Sequence, residues 1–529
     1  MSYEPDRRAV SPLIGDLLLP PDLKADSPLR HERVPALVEL NARYPGGLKA
    51  VMDRFLLHLW EESYQQWAHE PPPVGDSESS VTEPRVPAGL RRVTPKLYQC
   101  VLTRPQLLAM VEWDKETAHG LARPPAIFKV WPDYELQPQI DRSAPTVKAD
   151  AGWRSYNARG RGVVWAVLDS GVEACHPHFA SLEIGKELRG GPVDPDAATS
   201  RTAGLHRDFR ELVSLKGVGA VGPESPLTDE QGHGTHVAGI IAGRSPVGST
   251  PIVAASEEPA VGGGYVPRAR VSELSGMAPE CELVSCKVLR QNAQGDYVTS
   301  SSAIIRALDY LRTEVNVDPA VLRVHGVNIS LGCPWDPTHY AAGQSPLSQA
   351  VNQLVDSGVV VVISAGNSGA GYGTDPSRAV AALGSITEPA HADNCIAVGS
   401  THREAPHAFG VTWTSSKGPT LDGRLKPDVV APGEWITSAA VGAVRVRAGL
   451  PAPGASIDSR LTYAEQSGTS MAAPHVSGVI AAFLSARPEF IGRPRAVKQL
   501  LLSCATDLGR ERYAQGAGLV DLMRMLANV

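Results

Sequence analysis

Four polar residues have the types and surroundings that nucleophilic catalysis requires. Asp169 ends the apolar run VVWAVLD, His233 opens the small-residue segment HGTHVAGIIAG, and Ser470 lies in QSGTSMAAPHVSG. A serine hydroxyl is a weak nucleophile, and an adjacent histidine held by a carboxylate supplies the base that it needs. We therefore expect Ser470 to attack, His233 to take and return the proton, and Asp169 to fix the tautomer of the imidazole and stabilise its cation.

The fourth residue is Asn367, which follows the apolar run GVVVVISA in the segment SAGNSG. Its amide and the backbone N–H of Ser470 would donate to the oxygen that becomes negatively charged in the transition state. Taken singly, each of these motifs is more typical of a turn or a helix cap than of catalysis. The hypothesis depends on their joint occurrence, each at a strand end or a helix start.

The elements that must position these residues alternate between buried strands and helices from about residue 150. Near-continuous runs of Val, Ile and Leu are typical of strands covered on both faces of a parallel sheet. The pattern predicts an α/β fold, a doubly wound and mostly parallel sheet. Gly- and Pro-rich stretches at 244–275 and 440–460 are predicted to be surface loops. The predicted strands are GVVWAVLDSG, CELVSCKVLR, VHGVNISLG, GVVVVISAGN and NCIAVGS, and the predicted helices include HGTHVAGIIAG, SSSAIIRALDYLRTEV and PLSQAVNQLVDSG.

The chain before this domain has a different pattern. Residues 34–140 predict a small α+β domain in the order strand, helix, hairpin, helix, strand, interrupted by a Pro-, Ser- and acid-rich linker at 71–90. Residues 1–33 are predicted to be an N-terminal extension, and 141–529 the catalytic domain.

Composition argues against several classes of partner. The 529 residues carry a formal net charge of −6, which gives no electrostatic reason to expect nucleic acid or an anionic membrane surface. No apolar run approaches the roughly 18 residues that span a bilayer, and Pro12, Asp16 and Pro20 interrupt the only apolar patch near the N-terminus. The seven scattered cysteines are typical of reduced thiols, so we expect a cytoplasmic protein, with secretion by another route still open. The oligomeric state is left open.

The catalytic segments resemble those of the subtilisin-like serine peptidases (subtilases, peptidase S8 family). The resemblance is carried by AVLDSGV, GHGTHVAGIIAG, NISLGCP, SAGNSG, LKPDVVAPG and SGTSMAAPHVSG, and it extends over roughly residues 150–525. It implies a subtilisin-like fold, a serine endopeptidase with Asp169, His233 and Ser470 as the triad and Asn367 in the oxyanion hole, and a polypeptide substrate.

The resemblance also implies where the substrate would bind. In this family the substrate backbone adds as a strand between two chain segments, which match 292–297 and 330–332 here. An alignment by the strand that follows places Thr387 at the floor of the pocket for the residue before the cut, where compact relatives have Gly. The implied substrate-binding residues are Gly295, Tyr297, Ser330, Leu331, Gly332 and Thr387.

A calcium site that is common in the family is expected to be lost. The position of one of its Asp ligands matches His178, and neutral imidazole is a poor ligand for a hard cation that prefers oxygen. We therefore expect no required cofactor and no metal at that position, with calcium elsewhere left open.

Some alternatives stay open at this stage. The N-terminal domain resembles the small α+β propeptides of many subtilases, which assist folding and block the cleft, but an unrelated domain would also fit. The function could be general peptide-bond hydrolysis, the trimming or ligation of one dedicated peptide, or binding by a protease scaffold without activity; the intact set of four residues argues against the last.

Overall fold

A computed structural model of the chain describes residues 33–41, 43–60, 90–94, 96–121, 123–132, 143–182, 184, 201–210, 212–214, 217–219, 225–246, 252–258, 264–270, 274–292, 294–318, 320–334, 341–372, 379–450 and 463–529. The N-terminal extension, apart from Arg33, and the linker at 71–90, apart from Leu90, lie outside the described residues. The chain divides into two compact units, Met1–Leu136 and Gln137–Val529.

Among its described residues, the first unit has a four-stranded antiparallel sheet and two helices. Its strand order is β2-β3-β1-β4. Alternate residues of β1, namely Ala36, Val38 and Leu40, are buried, because successive side chains of a strand point to opposite faces. The elements are β1 (Arg33–Leu40), α1 (Gly47–Asp53, continued by a π-helical stretch Arg54–Trp60), β2 (Leu90–Thr94), β3 (Leu97–Thr103), α2 (Arg104–Gly120) and β4 (Ile127–Pro132).

The second unit is built on a seven-stranded, all-parallel sheet with helices on both faces. Between residues 143 and 315 the elements are α3 (Ser143–Thr146), α4 (Ala149–Tyr156), β5 (Val164–Asp169), β6 (Arg207–Asp208), β7 (Leu212–Ser214), β8 (Gly217–Gly219), α5 (His233–Ile241), β9 (Ile252–Glu258), β10 (Gly264–Arg270), β11 (Glu282–Lys287), β12 (Arg290–Gln291), β13 (Tyr297–Val298) and α6 (Ser301–Tyr310, continued by a π-helical stretch Leu311–Val315). The elements that follow are β14 (Gly326–Ile329), α7 (Pro346–Asp356), β15 (Val360–Ser364), β16 (Ala370–Tyr372), β17 (Ala379–Ala381), β18 (Ile396–His402), α8 (Pro406–Phe409), β19 (Val429–Glu434), β20 (Ile436–Ala439), α9 (Gly442–Arg447), β21 (Tyr463–Gln466), α10 (Thr469–Ala486), α11 (Pro494–Cys504), α12 (Arg512–Gln515) and α13 (Leu522–Ala527).

The order of the seven strands explains where a site can form. It is β19-β18-β15-β14-β5-β11-β6, with every neighbouring pair parallel. From β5 the chain proceeds first to one side, through β6 and β11, and then to the other side, through β14. In such sheets ligands bind outside the carboxyl ends of the strands where the order reverses. Asp169 is the last residue of β5, at that edge.

Two hydrophobic cores cover the two faces of this sheet. Trp165 and Val167 of β5 pack with α5 and α10 on one face, and Ala166 and Leu168 pack with α6 and α7 on the other. The Trp165 ring lies over Gly326, where an added Cβ would approach within 2.2 Å of it. The doubly wound parallel sheet predicted from the sequence is therefore confirmed. Helix α10 has the length and composition of a membrane span, but its residues are mostly buried in this core.

The loop prediction for 244–275 and 440–460 is wrong in part. Strands β9 and β10 form a hairpin within the first stretch, and β9 pairs with β21 in a second sheet of order β10-β9-β21-β20. Helix α9 lies within the second stretch. One small hydrophobic cluster contains Ala255, Val444 and Ala464, and Tyr265 packs against it. The Gly- and Pro-rich composition of the two stretches does not indicate this packing.

Candidate active site

Asp169 and His233 are joined by a hydrogen bond at the carboxyl edge of the sheet. The Nδ1 atom of His233 lies 2.8 Å from Oδ1 of Asp169, and the same oxygen accepts from the backbone N–H of Ser170 at 2.8 Å. Asp169 is 1% exposed, whereas the imidazole of His233 keeps 18% of its surface accessible. This arrangement places the proton on Nδ1 and leaves Nε2 as the basic nitrogen.

A second buried carboxylate, that of Asp229, fixes the start of α5. Its Oδ1 accepts from Gly232 N at 2.8 Å, and its Oδ2 accepts from the backbone N–H of Thr235 at 2.8 Å and from the Thr235 hydroxyl at 2.7 Å. These are the amides that the first turn of a helix leaves without partners. Asp229 is absent from the predicted site residues, although an Asp four residues before His233 at a helix start is a capping signal.

The pKa of His233 reflects opposing effects. Burial favours the neutral ring, but the charge and hydrogen bond of Asp169, with a further contribution from the charge of Asp229, outweigh it. The nearby charge of Arg447 acts in the lowering direction. The net result is a pKa raised above the ordinary histidine value, as expected for an imidazolium stabilised by a carboxylate.

Ser470 is the second residue of α10, and its hydroxyl faces the end of β14. Its Oγ donates to the carbonyl oxygen of Ser330 at 3.1 Å, and the Ser330 hydroxyl donates to the carbonyl oxygen of Ser470 at 2.9 Å. The positive end of the helix dipole lies at this helix start, which favours negative charge near the hydroxyl. Ser470 and His233 both line the cavity described below.

The amide of Asn367 is oriented by Thr469. The Thr469 hydroxyl accepts from Gly366 N at 3.2 Å and therefore donates its own proton to Asn367 Oδ1 at 3.1 Å. The backbone N–H of Thr469 donates to the same oxygen at 2.9 Å. Because Oδ1 receives both donors, Nδ2 of the exposed Asn367 side chain keeps its two protons for another acceptor.

His233, Asn367, Thr469 and Ser470 line a cavity of about 380 Å³. Of the implied substrate-binding residues, Tyr297, Ser330, Leu331, Gly332 and Thr387 line it, and Gly295 does not. Gly295 instead lies in the turn between β12 and β13, with a φ of 90° that favours glycine. The full lining is Gln231, His233, Leu289, Tyr297, Ser330, Leu331, Gly332, Cys333, Pro334, Ser364, Gly366, Asn367, Ser368, Thr387, Thr469 and Ser470.

Thr387 occupies the space between two walls of the cavity. A Cβ at Gly332 would lie 2.5 Å from Thr387 Oγ1, and a Cβ at Gly366 would lie 2.6 Å from Thr387 Cγ2. Both positions therefore exclude any larger residue while Thr387 is present. The threonine is held by Ala365, whose carbonyl oxygen accepts from its backbone N–H at 3.0 Å and its hydroxyl at 3.2 Å.

His178 is a core residue. It is 0% exposed, its Nε2 lies 3.1 Å from the carbonyl oxygen of Gly239, and its ring meets those of Phe179 and Tyr463 edge-on. Burial lowers the pKa of His178 to about 4. Within the described part of the chain, no group of three or more His, Cys, Asp or Glu side chains is arranged to hold a metal ion.

The sequence is similar to those of known proteins. The model of the subtilase family matches residues 160–519. Subtilisin DY of Bacillus licheniformis is 30% identical over 338 residues, covering 64% of this chain and 90% of the relative. Subtilisin E of Bacillus subtilis is 27% identical over 416 residues, covering 77% and 78%, and the serine protease AprX of the same species is 29% identical over 409 residues, covering 75% and 73%.

The chain belongs to the subtilase family. It is a serine endopeptidase that hydrolyses peptide bonds through an acyl-enzyme intermediate, and its substrates are polypeptides.

Proposed function

We propose that Asp169, His233 and Ser470 are the catalytic triad of this peptidase, with Asn367 in its oxyanion hole. The observation that carries the assignment is the 2.8 Å hydrogen bond from His233 to Asp169 beside a cavity that Ser470 and Asn367 also line. Asp169 ends a parallel strand and Asn367 follows one. His233 and Ser470 lie in the first turns of helices, so regular elements position all four residues.

The reaction begins when the Ser470 hydroxyl leaves the Ser330 carbonyl and turns to Nε2 of His233. The imidazole takes the proton as Ser470 Oγ bonds to the scissile carbonyl carbon, and the carbonyl oxygen becomes an oxyanion. Nδ2 of Asn367 and the backbone N–H of Ser470 donate to that oxyanion. His233 then returns the proton to the leaving amine as the C–N bond breaks, and water releases the acyl group by the same sequence with His233 as base.

Asp169 acts through His233. Its carboxylate keeps the proton on Nδ1 and stabilises the imidazolium that forms when Ser470 is deprotonated. The raised pKa of His233 has the same cause, since the carboxylate favours the protonated ring. A positive imidazole and a negative oxyanion thus each have a fixed partner in the protein.

The pocket that holds the residue before the cut is narrowed by Thr387. Its side chain occupies the space between Gly332 and Gly366. We propose that medium aliphatic residues such as Leu, Met or Ala bind there better than aromatic ones. Tyr297 and Leu331, which line the same cavity, would contact the fourth residue upstream of the cut.

Activity is proposed to be independent of calcium at the position of His178. The burial of this ring among Phe179 and Tyr463 supports the proposal, because a neutral core imidazole offers no oxygen ligand.

Residues 34–140 are proposed to act as a propeptide, with 141–529 as the catalytic domain. The antiparallel sheet and the helices described in the first unit support this proposal, since they form a small α+β unit with its own core. The purified N-terminal unit, added to the active enzyme, should inhibit it; lack of inhibition at micromolar concentration would favour an unrelated domain.

The experiment that tests the assignment is Ser470→Ala. Loss of the nucleophile should reduce turnover on the order of 10⁶-fold. The circular dichroism spectrum and melting temperature should stay near those of the unmodified protein. Labelling of Ser470 by a fluorophosphonate separates an active enzyme from an inactive binding scaffold, and hydrolysis of casein separates a general peptidase from one dedicated to a single peptide. Substantial hydrolysis by purified Ser470→Ala would contradict the assignment.

A further inference from the structure

Glu388, which follows Thr387, carries a buried carboxylate with an unusual number of partners. The residue is 2% exposed. Its Oε1 accepts from the hydroxyls of Ser345 and Ser348, and its Oε2 lies 3.0 Å from Nδ1 of His391, which is also buried. Burial alone would raise the pKa of Glu388, but the hydrogen bonds from His391 and the two serines lower it below its usual range. The group is therefore a carboxylate at neutral pH, and a buried charge of this kind needs such partners.

The backbone of Glu388 is bound to the wall of the cavity. Its N–H donates to the carbonyl oxygen of Cys333 at 2.9 Å, and its carbonyl oxygen accepts from the N–H of Cys333 at 2.9 Å. Cys333 lines the cavity beside Gly332. Glu388 therefore connects Thr387, at the floor of the pocket, to the cavity wall at Cys333.

The side chain of Glu388 reaches the start of α7. Ser345 caps that helix, because its hydroxyl oxygen accepts from Ser348 N at 3.0 Å while its proton is donated to Glu388. The helix dipole adds a favourable interaction for a carboxylate at this end. Glu388 thus binds Cys333 by its backbone and Ser345 by its side chain, at the two ends of segment 334–344, of which 335–340 lie outside the described residues.

We propose that Glu388 is a positioning residue for the pocket that selects the residue before the cut. It follows the floor residue Thr387, its backbone is bound to the wall at Cys333, and its carboxylate anchors this connection to the start of α7 through Ser345 and Ser348. The inference depends on the proposed function, since the pocket has a catalytic meaning only if Ser470 is the nucleophile. No atom of Glu388 is required to touch the substrate. Its effect is on substrate selection rather than on the reactivity of Ser470.

The test uses the full-length protein and three variants. Glu388→Gln removes the charge with little change of size, and Ser348→Ala removes one hydrogen bond while keeping the carboxylate. Asp428→Asn is the matched control, because Asp428 is a carboxylate with only 9% of its side chain exposed, bound to Lys426 and Lys498, and it does not line the cavity. Values of kcat and KM are measured on peptides with Ala, Leu or Phe before the cut, together with the rate of fluorophosphonate labelling.

For Glu388→Gln we expect KM of the best peptide to rise about 10-fold and the Leu-to-Phe ratio of kcat/KM to change at least about 3-fold, within the range that small changes in a pocket produce. The labelling rate should stay within about twofold, since the triad is untouched. Ser348→Ala should shift the ratio in the same direction by less. Asp428→Asn should lower the melting temperature and leave the ratio unchanged.

Three outcomes would overturn the inference: an unchanged ratio in Glu388→Gln, an equal loss of kcat on every peptide together with slower labelling, or an equal change of ratio in the Asp428→Asn control. If Glu388→Gln does not fold, an unchanged ratio in Ser348→Ala overturns it instead. Failure of the unmodified protein to be labelled at Ser470 would contradict the proposed function, so the two failures are distinguishable.

Discussion

Thr469 holds the Asn367 amide oxygen with two hydrogen bonds, one from its backbone N–H at 2.9 Å and one from its hydroxyl at 3.1 Å. Thr469, next to the proposed nucleophile Ser470, thereby orients Asn367, the proposed oxyanion donor that follows β15. Because the hydroxyl of Thr469 also accepts from Gly366 N, its direction is determined by the backbone.

The variant Thr469→Val tests this relationship. It keeps the backbone hydrogen bond and the shape of the side chain, but it removes the hydroxyl that helps to hold Oδ1. One such bond contributes about 1 kcal/mol, so we expect kcat to fall about 5- to 10-fold with KM nearly unchanged. Steady-state kinetics give the two constants.

Asn367→Ala is the reference variant, and it should lose about 10²–10³ in kcat because one oxyanion donor is removed. In the double variant the two losses should not add, since Thr469 acts through Asn367. Full additivity would contradict the positioning role of Thr469.

The pH dependence of kcat/KM should show an acid limb from His233. The imidazole must be neutral to accept the Ser470 proton, so activity is lost as pH falls through its pKa. Since that pKa is raised, the limb should lie above the ordinary histidine value of 6.5. The free energy of unfolding depends on pH in the opposite direction. The stabilisation from the ion pair of His233 with Asp169 is complete below the pKa of His233 in the unfolded chain, and it is lost as pH rises through the pKa of His233 in the folded protein. A limb below 6.5 in a pH–rate profile would contradict the dominance of Asp169.

Two charge changes near His233 should move this limb in opposite directions. Arg447→Gln should raise the apparent pKa, because the charge of Arg447 lowers that of His233, and Asp229→Asn should lower it, because the charge of Asp229 raises it. Arg154→Gln, an exposed Arg paired with Asp150, is the control and should leave the limb unchanged. Profiles on an uncharged peptide give the comparison, and shifts of the same sign in both variants would exclude the electrostatic explanation.

Thr387→Gly should enlarge the pocket. It removes the side chain between Gly332 and Gly366, so the Phe-to-Leu ratio of kcat/KM should rise by about 10-fold, a modest effect typical of a few methyl-sized groups. Kinetics on peptides that vary only in the residue before the cut provide the measurement. The prediction is wrong if Phe is already the best residue in the unmodified enzyme, or if the ratio does not change.

Removal of divalent cations should change the melting temperature little. We expect the melting temperature in a calcium chelator to match that in added calcium, because a buried imidazole with aromatic neighbours occupies the position. His178→Phe, which retains an aromatic ring but loses the hydrogen bond to the Gly239 carbonyl oxygen, should lower the melting temperature equally in both buffers. A drop of many degrees in chelator would show that calcium stabilises the protein at another position.

Local patterns were sufficient for much of the fold. Buried strands such as β5 and β15 have continuous apolar runs, and helices such as α7 have a polar face and a capping Ser, so their types follow from neighbouring residues. The three catalytic segments can also be identified from neighbouring residues, because each combines a reactive residue with the small residues that close packing requires. The hairpin of β9 and β10 was missed, because its pairing with β21 involves residues about 200 positions away.

The remaining properties of the site depend on residues distant in sequence. The Ser470 hydroxyl faces Ser330, 140 positions away, and the Glu388 carboxylate binds Ser345, 43 positions away. Gly295 belongs to a segment whose sequence resembles a substrate-binding strand, but in the folded chain it lies in a turn and does not line the cavity. Reactive residue types and their order can be inferred from the chain alone, because they depend on chemistry and local packing. Hydrogen-bond partners at about 3 Å follow from how distant segments meet, and only the folded chain specifies that.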